Sequence, residues 1–388
     1  MNAQPSALPR LLHYNPSSTG GLADYARAQA NALSQIGVQV DLLSHADFPR
    51  LETDLFRLRA DLPDRKTGGG KIPRKVMWVQ GILDDYRRLA EITRRDRYRH
   101  VLIGAYAEYL SPLWSGVLRQ LKQKGVVFGA IVHDPVRDFV LGPLPWHRRS
   151  VADAYSFLRE AFVHEDIQLD TVRPVPDLRV TTIPHGPYVF PPASETRETS
   201  RQKLGLPPSA QVWLSFGHVR DGKNLHLAIE ALVQFPDAIL LVAGKEQSSG
   251  QRPVSFYKAF AEKLEVAARC FWLNRFIAPE EVGNLFVASD LVLLTYSRDF
   301  RSASGVLSVA NFFRKPCLAS SGQGNLRSVV LDYGLGVWVE PDRLDNLVCG
   351  LRHWRQAPPV PRWDDYEREN SWHRNADIVS GRFFNLPS

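Results

Sequence analysis

Val212-Trp-Leu-Ser-Phe-Gly-His-Val-Arg-Asp-Gly-Lys-Asn-Leu-His-Leu-Ala-Ile-Glu-Ala-Leu232 is the stretch that decides the fold of this chain. The apolar run that ends at Gly217 predicts a short strand, and leucine and isoleucine then recur at the spacing of a helix with one buried face. The turn between them contains Arg220 and Lys223. A helix start presents unpaired N–H groups and the positive end of the helix dipole. The stretch therefore predicts a strand, turn and helix unit suited to a phosphate group.

Three interpretations of this turn are open from the stretch alone. The spacing Gly217-x-x-x-x-Gly222-Lys223 is that of the phosphate loop of nucleoside triphosphatases, but that loop needs Ser or Thr after the lysine to place a hydroxyl on Mg²⁺. Asn224 stands there and has no hydroxyl. The second interpretation is a clamp for a nucleotide diphosphate that uses Arg220 and Lys223. The third is an ordinary turn whose charges are solvated.

Composition limits the class of protein. A chain of 388 residues exceeds what one hydrophobic core serves, so two domains are expected. Its three cysteines are far apart, which argues against a disulfide framework or a structural zinc site and for a reducing compartment. The N-terminal residues lack the apolar core of a signal peptide, and no apolar run approaches the ~20 residues that cross a bilayer. We therefore expect a cytoplasmic protein.

Positive charge is concentrated in the first half of the chain. Residues 50–100 contain 14 Lys and Arg against 8 Asp and Glu, within a total formal charge of +7. Such a bias attracts an anionic membrane surface, nucleic acid or a phosphorylated substrate, and a solvated basic face is the alternative. No zinc-finger spacing, RNA-binding aromatic signature or basic zipper is present, so nucleic acid is not expected as a partner.

Strand-like and helix-like segments alternate along the whole chain. A short strand, a polar glycine turn at residues 15–21, a helix and a second strand open the first half, as in a doubly wound sheet. The pattern predicts an α/β protein with a Rossmann-like domain at 1–188 and a second at 209–357. Residues 189–208, rich in Pro, Ser, Thr and Glu, are predicted to form the linker, and 358–388 a tail with a final helix.

Together these features resemble the GT-B glycosyltransferases, specifically those of family 4, over nearly the whole chain. In the first half the resemblance rests on Ser17-Ser-Thr-Gly20-Gly21, Ile131-Val-His-Asp-Pro135 and Ile183-Pro-His-Gly186. In the second half it rests on Phe216-Gly-His-Val-Arg-Asp-Gly-Lys-Asn224, Leu241-Val-Ala-Gly244, Phe276-Ile277, Ser289-Asp-Leu-Val-Leu-Leu-Thr-Tyr296, Ser304-Gly-Val-Leu307 and Lys315-Pro316.

The resemblance implies two Rossmann-like domains that face each other across a cleft, with the C-terminal helix returning to the first domain. It implies a retaining enzyme in polysaccharide or glycoconjugate synthesis, with a UDP- or GDP-linked sugar donor and a saccharide or lipid-linked acceptor. The basic residues of the first domain, particularly those in 57–75 and 87–99, are expected to hold the enzyme as a peripheral protein on the inner face of an anionic membrane. The sequence contains no Asp-x-Asp, so a mechanism without metal or other cofactor is expected. The residues implied are His133, Arg220 and Lys223 for catalysis, and Gly20, Gly21, Gly217, Arg220, Lys223, Gly244, Phe276, Ile277, Arg301, Ser304, Gly305 and Val306 for the donor.

Two positions depart from the family's pattern. Members commonly carry two glutamates eight positions apart, the first touching the donor sugar and the second the ribose. Arg301 and Val309 occupy those positions here. A subset with Ser-Gly-Val-Leu at the same helix start also lacks the first glutamate. The departures leave a second hypothesis open: a catalytically silent GT-B binding subunit that partners an active glycosyltransferase.

Overall fold

A computed structural model describes residues 8–64, 74–105, 107–133, 135, 140, 142–187, 190–246, 250–301 and 304–384. The chain divides into two compact units, residues 1–186 with 371–388, and residues 187–370. Within the described residues no helix is long and apolar enough to span a membrane.

The first unit is built on a parallel sheet. Its strands are β1 (Arg10–Tyr14), β2 (Gln39–Leu43), β3 (Arg57–Arg59), β4 (His100–Ile103), β5 (Val127–Ile131), β6 (Glu160–Val163) and β7 (Arg179–Thr182), in the order β3-β2-β1-β4-β5-β6-β7. Its helices are α1 (Gly21–Gln35), α2 (Arg74–Arg95), α3 (Ser111–Gln123) and α4 (Leu144–Tyr155). The order reverses on either side of β1, which is the arrangement of a doubly wound sheet.

Both faces of this sheet are covered. Leu11 and Leu12 are fully buried, and because neighbouring side chains on a strand point to opposite faces, they belong to two different cores. Leu12 packs in the core that contains residues of α2, α3 and α4, and Leu11 packs in the core that contains residues of α1. Burial on both faces explains why the strands read as continuous apolar runs.

The second unit is also built on a parallel sheet. Its strands are β8 (Gln211–Phe216), β9 (Ala238–Ala243), β10 (Cys270–Leu273), β11 (Leu291–Thr295), β12 (Cys317–Ser320) and β13 (Gly336–Trp338), all parallel in the order β10-β9-β8-β11-β12-β13. Its helices are α5 (Arg197–Lys203), α6 (Leu225–Ala231), α7 (Val254–Lys263), α8 (Pro279–Ala288), α9 (Gly305–Phe312), α10 (Asn325–Asp332), α11 (Leu344–Gln356) and α12 (Trp363–Glu369). The order reverses between β8 and β11, and open sheets bind ligands at the carboxyl ends of such strands.

The last helix, α13 (Trp372–Phe384), returns to the first unit. Asn375 is fully buried there, and its amide nitrogen donates to the Tyr25 hydroxyl at 3.1 Å and to the Pro184 carbonyl at 2.8 Å. The predicted α/β class with two parallel sheets is confirmed, and so is the return of the C-terminal helix.

The boundaries of the units differ from the predicted ones. Of the predicted linker 189–208, the described residues belong to the second unit, where the almost fully buried Arg201 of α5 bonds the Ala288 carbonyl at 2.9 Å and the Asp290 carboxylate at 2.7 Å. Of the predicted tail 358–388, the part up to residue 370 also belongs there, because Tyr366 packs in its core. A polar, proline-rich composition does not reveal such long-range contacts.

Candidate functional site

The strand, turn and helix predicted around Gly217 are present at the carboxyl end of β8. The backbone leaves the strand at Gly217 with φ of 86°, and a 3₁₀ turn at Asp221–Lys223 leads to Asn224. Asn224 is left-handed, with φ of 51°, and precedes the first residue of α6. Asparagine tolerates this conformation better than residues other than glycine. The turn is therefore a fixed backbone element and not an open loop.

Gly217 and Gly244 meet at the ends of adjacent strands. The Gly217 N–H donates to the Ala243 carbonyl at 2.9 Å. A Cβ atom on Gly244 would lie 2.2 Å from the Gly217 carbonyl oxygen, so a side chain there would displace the backbone of the turn. Glycine is required at residue 244 by this close approach.

Lys223 lies over the turn that follows β8. Its Nζ donates to the Phe216 carbonyl and lies 3.3 Å from the point where a Gly217 Cβ would be, and Val306 Cγ2 lies 3.7 Å from that same point. Burial, and secondarily the charge of Arg220, lower the pKa of Lys223 to about 7. No carboxylate among the described residues pairs with it. A buried cation with a depressed pKa would be stabilised by an anionic ligand.

Arg220 is linked to the start of α9 through aromatic rings. Its guanidinium lies 5.6 Å from the centre of the Phe300 ring, and that ring stacks on Tyr296 at 3.9 Å. The Tyr296 hydroxyl shares a hydrogen bond of 2.9 Å with Ser304 Oγ. In the described part of the chain Arg220 has no ion-pair partner. The guanidinium of Arg220 thus lies near the Phe300 ring, and its charge is available to an anionic ligand.

The start of α9 completes the group. Ser304 caps the helix, since its Oγ accepts from the Leu307 N–H at 3.2 Å. Gly305 is exposed and Val306 half-buried, and first-turn N–H groups have no acceptor within a helix. The predicted residues Gly217, Lys223 and Val306 therefore lie together, and the ring contacts connect Arg220 with Ser304.

Three other predicted donor residues make no described side-chain hydrogen bond or ion pair with this group. Phe276 is 74% exposed and Arg301 is also exposed, and no described contact joins either side chain to the turn. Ile277 is only 7% exposed and packs in the core of the second unit, so most of its side chain is out of a ligand's reach. Val309 lies in the same core, at 3% exposure.

Asp342 is a residue of the site that sequence reasoning missed. Its Oδ1 accepts from Asn224 Nδ2 at 2.8 Å, and its Oδ2 accepts from the N–H and Nε of Arg298 at 3.1 and 3.0 Å. The carboxylate thereby joins the turn after β8 to the loop after β11. The same two segments are also joined by Thr295 Oγ1, which donates to the Lys223 carbonyl at 2.8 Å. Nothing in the sequence marks Asp342, although its backbone is left-handed in the structure, with φ of 63°.

In the first unit, Gly20 and Gly21 stand at the start of α1, and both are exposed. Gly20 has φ of 75° and its carbonyl accepts from the Ala23 N–H at 3.0 Å, as the first bond of the helix. The predicted glycine turn before a helix is therefore present.

His133 follows β5 and belongs to a cluster of histidines. Its Nε2 lies 3.0 Å from the Gly104 carbonyl, and its ring meets the edge of the Tyr25 ring at 4.8 Å between centres. His164 and His185 also contact the Tyr25 ring, at 5.3 and 5.2 Å. The residues of this cluster come from the carboxyl ends of separate strands, and the described residues include no group of His, Cys, Asp or Glu arranged to hold a metal ion.

Burial keeps the histidines around this cluster neutral. The pKa of His13, which is fully buried near His133, is lowered to about 3 by burial and then by the charge of His133. Burial, followed by the charge of His185, also puts the pKa of His164 well below its ordinary value. Burial is also the main cause of the lowered pKa of His185. A neutral imidazole can accept a proton or a hydrogen bond from a hydroxyl group.

Comparison with known protein families finds a match for the second unit. Residues 196–376 match the family described as Glycosyl transferases group 1. Residues 196–376 are thus a glycosyltransferase domain of that family. The match includes the turn with Arg220 and Lys223, the start of α9, and Asp342. Among curated proteins the sequence has no significant match.

Solved structures agree with the fold of this chain over nearly its whole length. A glycosyltransferase from Rickettsia africae has 15% identity and a TM-score of 0.70, with 98% of this chain and 100% of that chain covered. Sucrose-phosphate synthase from Thermosynechococcus elongatus has 16% identity and a TM-score of 0.64, with 97% and 95% covered. HepE of Anabaena, in complex with UDP and glucose, has 16% identity and a TM-score of 0.63, with 97% and 95% covered. The chain has the GT-B fold.

Proposed function

We propose that this glycosyltransferase moves a sugar from a UDP- or GDP-linked donor to a saccharide or lipid-linked acceptor in polysaccharide or glycoconjugate synthesis. The observation that carries the proposal is the pair Arg220 and Lys223. Neither has a carboxylate partner among the described residues, Lys223 and Val306 both lie beside Gly217, and Arg220 is linked to Ser304 through the rings of Phe300 and Tyr296. The complex of HepE with UDP and glucose supports the choice of a nucleotide sugar. We further propose that the protein is cytoplasmic and peripheral to the membrane.

The chemistry requires that negative charge on the departing diphosphate be stabilised as the bond to the sugar breaks. Arg220 can bind two phosphate oxygens through its planar guanidinium, while Lys223 supplies a compact charge. The N–H groups of Gly305 and Val306 would add donors and the helix dipole. These groups are fixed before the ligand arrives, so little reorganisation is needed at the moment of reaction.

We also propose that transfer retains the configuration at the anomeric carbon and needs no metal ion. The family resemblance supports retention, with the donor's own phosphate oxygen assisting removal of the proton from the attacking hydroxyl. His133 would orient that hydroxyl or bond the transferred sugar. The two cations supply the neutralisation that a metal ion provides in other transferases. Proton NMR of the product and activity in excess EDTA test these two points: an inverted product contradicts retention, and activity that EDTA abolishes and Mn²⁺ restores contradicts metal independence.

A panel of nucleotide sugars, screened by thermal shift and then calorimetry, tests the donor site. The double variant Arg220→Ala/Lys223→Ala should lose nearly all affinity, because each charge-assisted bond contributes roughly 1.5–3 kcal/mol. The matched control is Lys258→Ala/Lys263→Ala, which removes two exposed cations of α7 and should bind normally. Full affinity in the first double variant would refute the placement of the site.

The catalytically silent binding subunit is the second candidate. It is favoured by Arg301 and Val309, because the first is exposed and the second is buried in the core, and neither supplies a carboxylate. Purified protein that binds a nucleotide sugar but neither hydrolyses nor transfers it, with any acceptor offered, would support this candidate. Turnover by the protein alone would exclude it.

A further inference from the structure

Tyr25 of α1 lies at the centre of a cluster of rings in the first unit. Its side chain is buried, at 1% exposure. Four rings surround it, with centres 4.8 to 5.3 Å from its own: those of His133, His164, His185 and Trp372. Each meets the Tyr25 ring at an angle between 61° and 89°, which is the edge-on geometry that aromatic rings prefer. One phenol ring thus contacts side chains that follow three separate strands and one at the start of α13.

The Tyr25 ring is itself held by hydrogen bonds to its hydroxyl. That hydroxyl accepts from Asn375 Nδ2 at 3.1 Å and from Gln29 Nε2 at 3.5 Å. Gln29 Nε2 also donates to Asn375 Oδ1 at 2.8 Å, and Asn375 Nδ2 donates to the Pro184 carbonyl at 2.8 Å. Both amide side chains are fully buried, where a low dielectric strengthens such bonds. The position of the Tyr25 ring is therefore set by α1, α13 and the segment that follows β7.

Tyr25 restricts a rotation of His133 that the hydrogen bond between His133 and Gly104 leaves open. His133 Nε2 lies 3.0 Å from the Gly104 carbonyl, and because a carbonyl oxygen only accepts, Nε2 carries the proton of the neutral ring. This bond fixes one atom of the imidazole but not the plane of the ring. The Tyr25 ring lies almost perpendicular to that plane, at 89°, and blocks rotation about the bond. The half-buried imidazole therefore presents Nδ1 in one direction.

We infer that Tyr25 is the positioning residue of His133, and that its ring fixes the plane of the imidazole that orients the acceptor hydroxyl or the transferred sugar. At 1% exposure Tyr25 is out of a ligand's reach, so it acts through His133 and not on the substrate. The inference rests on the proposed function in the role given to His133, whereas the contact between the two rings does not depend on that function.

NMR of the histidine side chains tests the positioning without any substrate. In the full chain with isotope-labelled histidine, long-range proton–nitrogen spectra report which nitrogen of each imidazole carries the proton, and His133→Gln assigns the signal of His133. The parent should show a single tautomer with the proton on Nε2. Tyr25→Leu should give a broadened or averaged His133 signal, because the ring is then free to leave the Gly104 carbonyl. Tyr25→Phe keeps the ring contact and should keep the parent's signal.

Steady-state kinetics tests the consequence for sugar transfer. Tyr25→Leu should lower kcat about tenfold, which is the scale of one aromatic pair, and Tyr25→Phe should stay within about twofold of the parent. The donor KM should not change in either variant, because Arg220 and Lys223 belong to the second unit.

The matched control is Tyr86→Leu, which removes an equally buried tyrosine ring from the other core of the first unit. It should lose stability in urea titrations but change neither kcat nor the His133 signal. If Tyr25→Leu does not fold, Tyr25→Met replaces it, because an unbranched chain fills irregular space.

An unchanged His133 signal or an unchanged kcat in the folded Tyr25 variant would overturn the inference, and so would equal losses in Tyr86→Leu. A parent that turns over no nucleotide sugar, with a His133 signal that changes in Tyr25→Leu, would support the positioning and count against the proposed function alone.

Discussion

The depressed pKa of Lys223 makes donor binding depend on pH in a defined direction. In the free protein, burial and then the nearby charge of Arg220 lower this pKa to about 7 from the ordinary 10.5. A bound diphosphate places negative charge beside Nζ and raises the pKa again. Because binding favours the protonated lysine, affinity should be greatest below pH 7 and should fall as pH rises above it.

The size of the effect follows from the fraction of Lys223 that is protonated before the ligand binds. With a pKa of about 7, that fraction is about one tenth at pH 8 and about one hundredth at pH 9. If the bound lysine keeps its proton throughout, affinity should fall about tenfold from pH 6 to pH 8, and about 100-fold to pH 9. Binding at pH 8 should take up nearly one proton.

Calorimetry with UDP-glucose and GDP-mannose measures both quantities. The diphosphate of a nucleotide sugar is esterified at both ends and does not titrate, and the bases of both donors are neutral between pH 6 and 8, so in that range the ligand contributes no slope. Proton uptake is obtained by repeating each titration in buffers of different ionisation enthalpy. Lys223→Met should bind weakly and with a flat pH profile. Lys223→Arg keeps the charge at every pH and should also be flat if the larger group fits beside Gly217.

A parent affinity that is constant from pH 6 to 9, with no proton uptake at pH 8, would refute the role of Lys223. A slope that persists unchanged in Lys223→Met would assign the titration to another group and refute it equally. Tight, pH-independent binding by Lys223→Met would show that the diphosphate lies elsewhere.

Three further predictions concern stability. Asp342→Ala should lower the free energy of unfolding of the second unit by about 1–2 kcal/mol and weaken donor binding, because Asn224 and Arg298 lose their shared acceptor. Thermal unfolding measures the first effect and calorimetry the second. Asp342→Asn keeps one acceptor oxygen and should lose less stability and less affinity. His13 is neutral in the folded state, so stability should be complete above its unfolded pKa of 6.5 and should decrease as pH falls toward about 3. In His13→Leu, urea titrations should show a slope between pH 6 and 4 that is shallower by about 1.4 kcal/mol per unit, and an unchanged slope would contradict the burial argument. Trp114→Ala should cost about 3–5 kcal/mol in unfolding experiments, since the ring is 3% exposed, and a loss below 1 kcal/mol would show that its stacking contributes little.

Sequence patterns predicted those strands and helices whose apolar residues are spaced so that one or both faces are buried. The alternation of apolar runs and amphipathic helices gave both sheets and the strand, turn and helix around Gly217. They failed at β3, where Arg-Leu-Arg has no apolar run, and at the start of α2. The buried face of that helix begins at Ile82, whereas the backbone is helical from Arg74. A helix that does not pack shows no burial period.

The sequence indicated individual residues of the candidate site, but only some of the contacts between them. Arg220 and Lys223 follow from the local spacing of the turn, and Ser304 from the resemblance of Ser304-Gly-Val-Leu307 to the family's helix start. Ile277 packs in the same core as Phe216 and Val306, and its role in donor binding stays a prediction. Asp342, 118 positions from the asparagine to which it bonds, gave no signal at all.

The sequence by itself determined the units of structure and their charges: a cationic turn after β8, glycines at strand ends, and a basic segment before α2. These are local properties, since propensity and periodicity act over a few neighbouring residues. The tertiary structure alone decided that Lys223 is desolvated near a second cation, that Arg220 lies on Phe300, and that the turns of α2 with Trp78 lie outside the core. Desolvation and through-space contact depend on which distant segments meet, and only the folded chain brings those segments together.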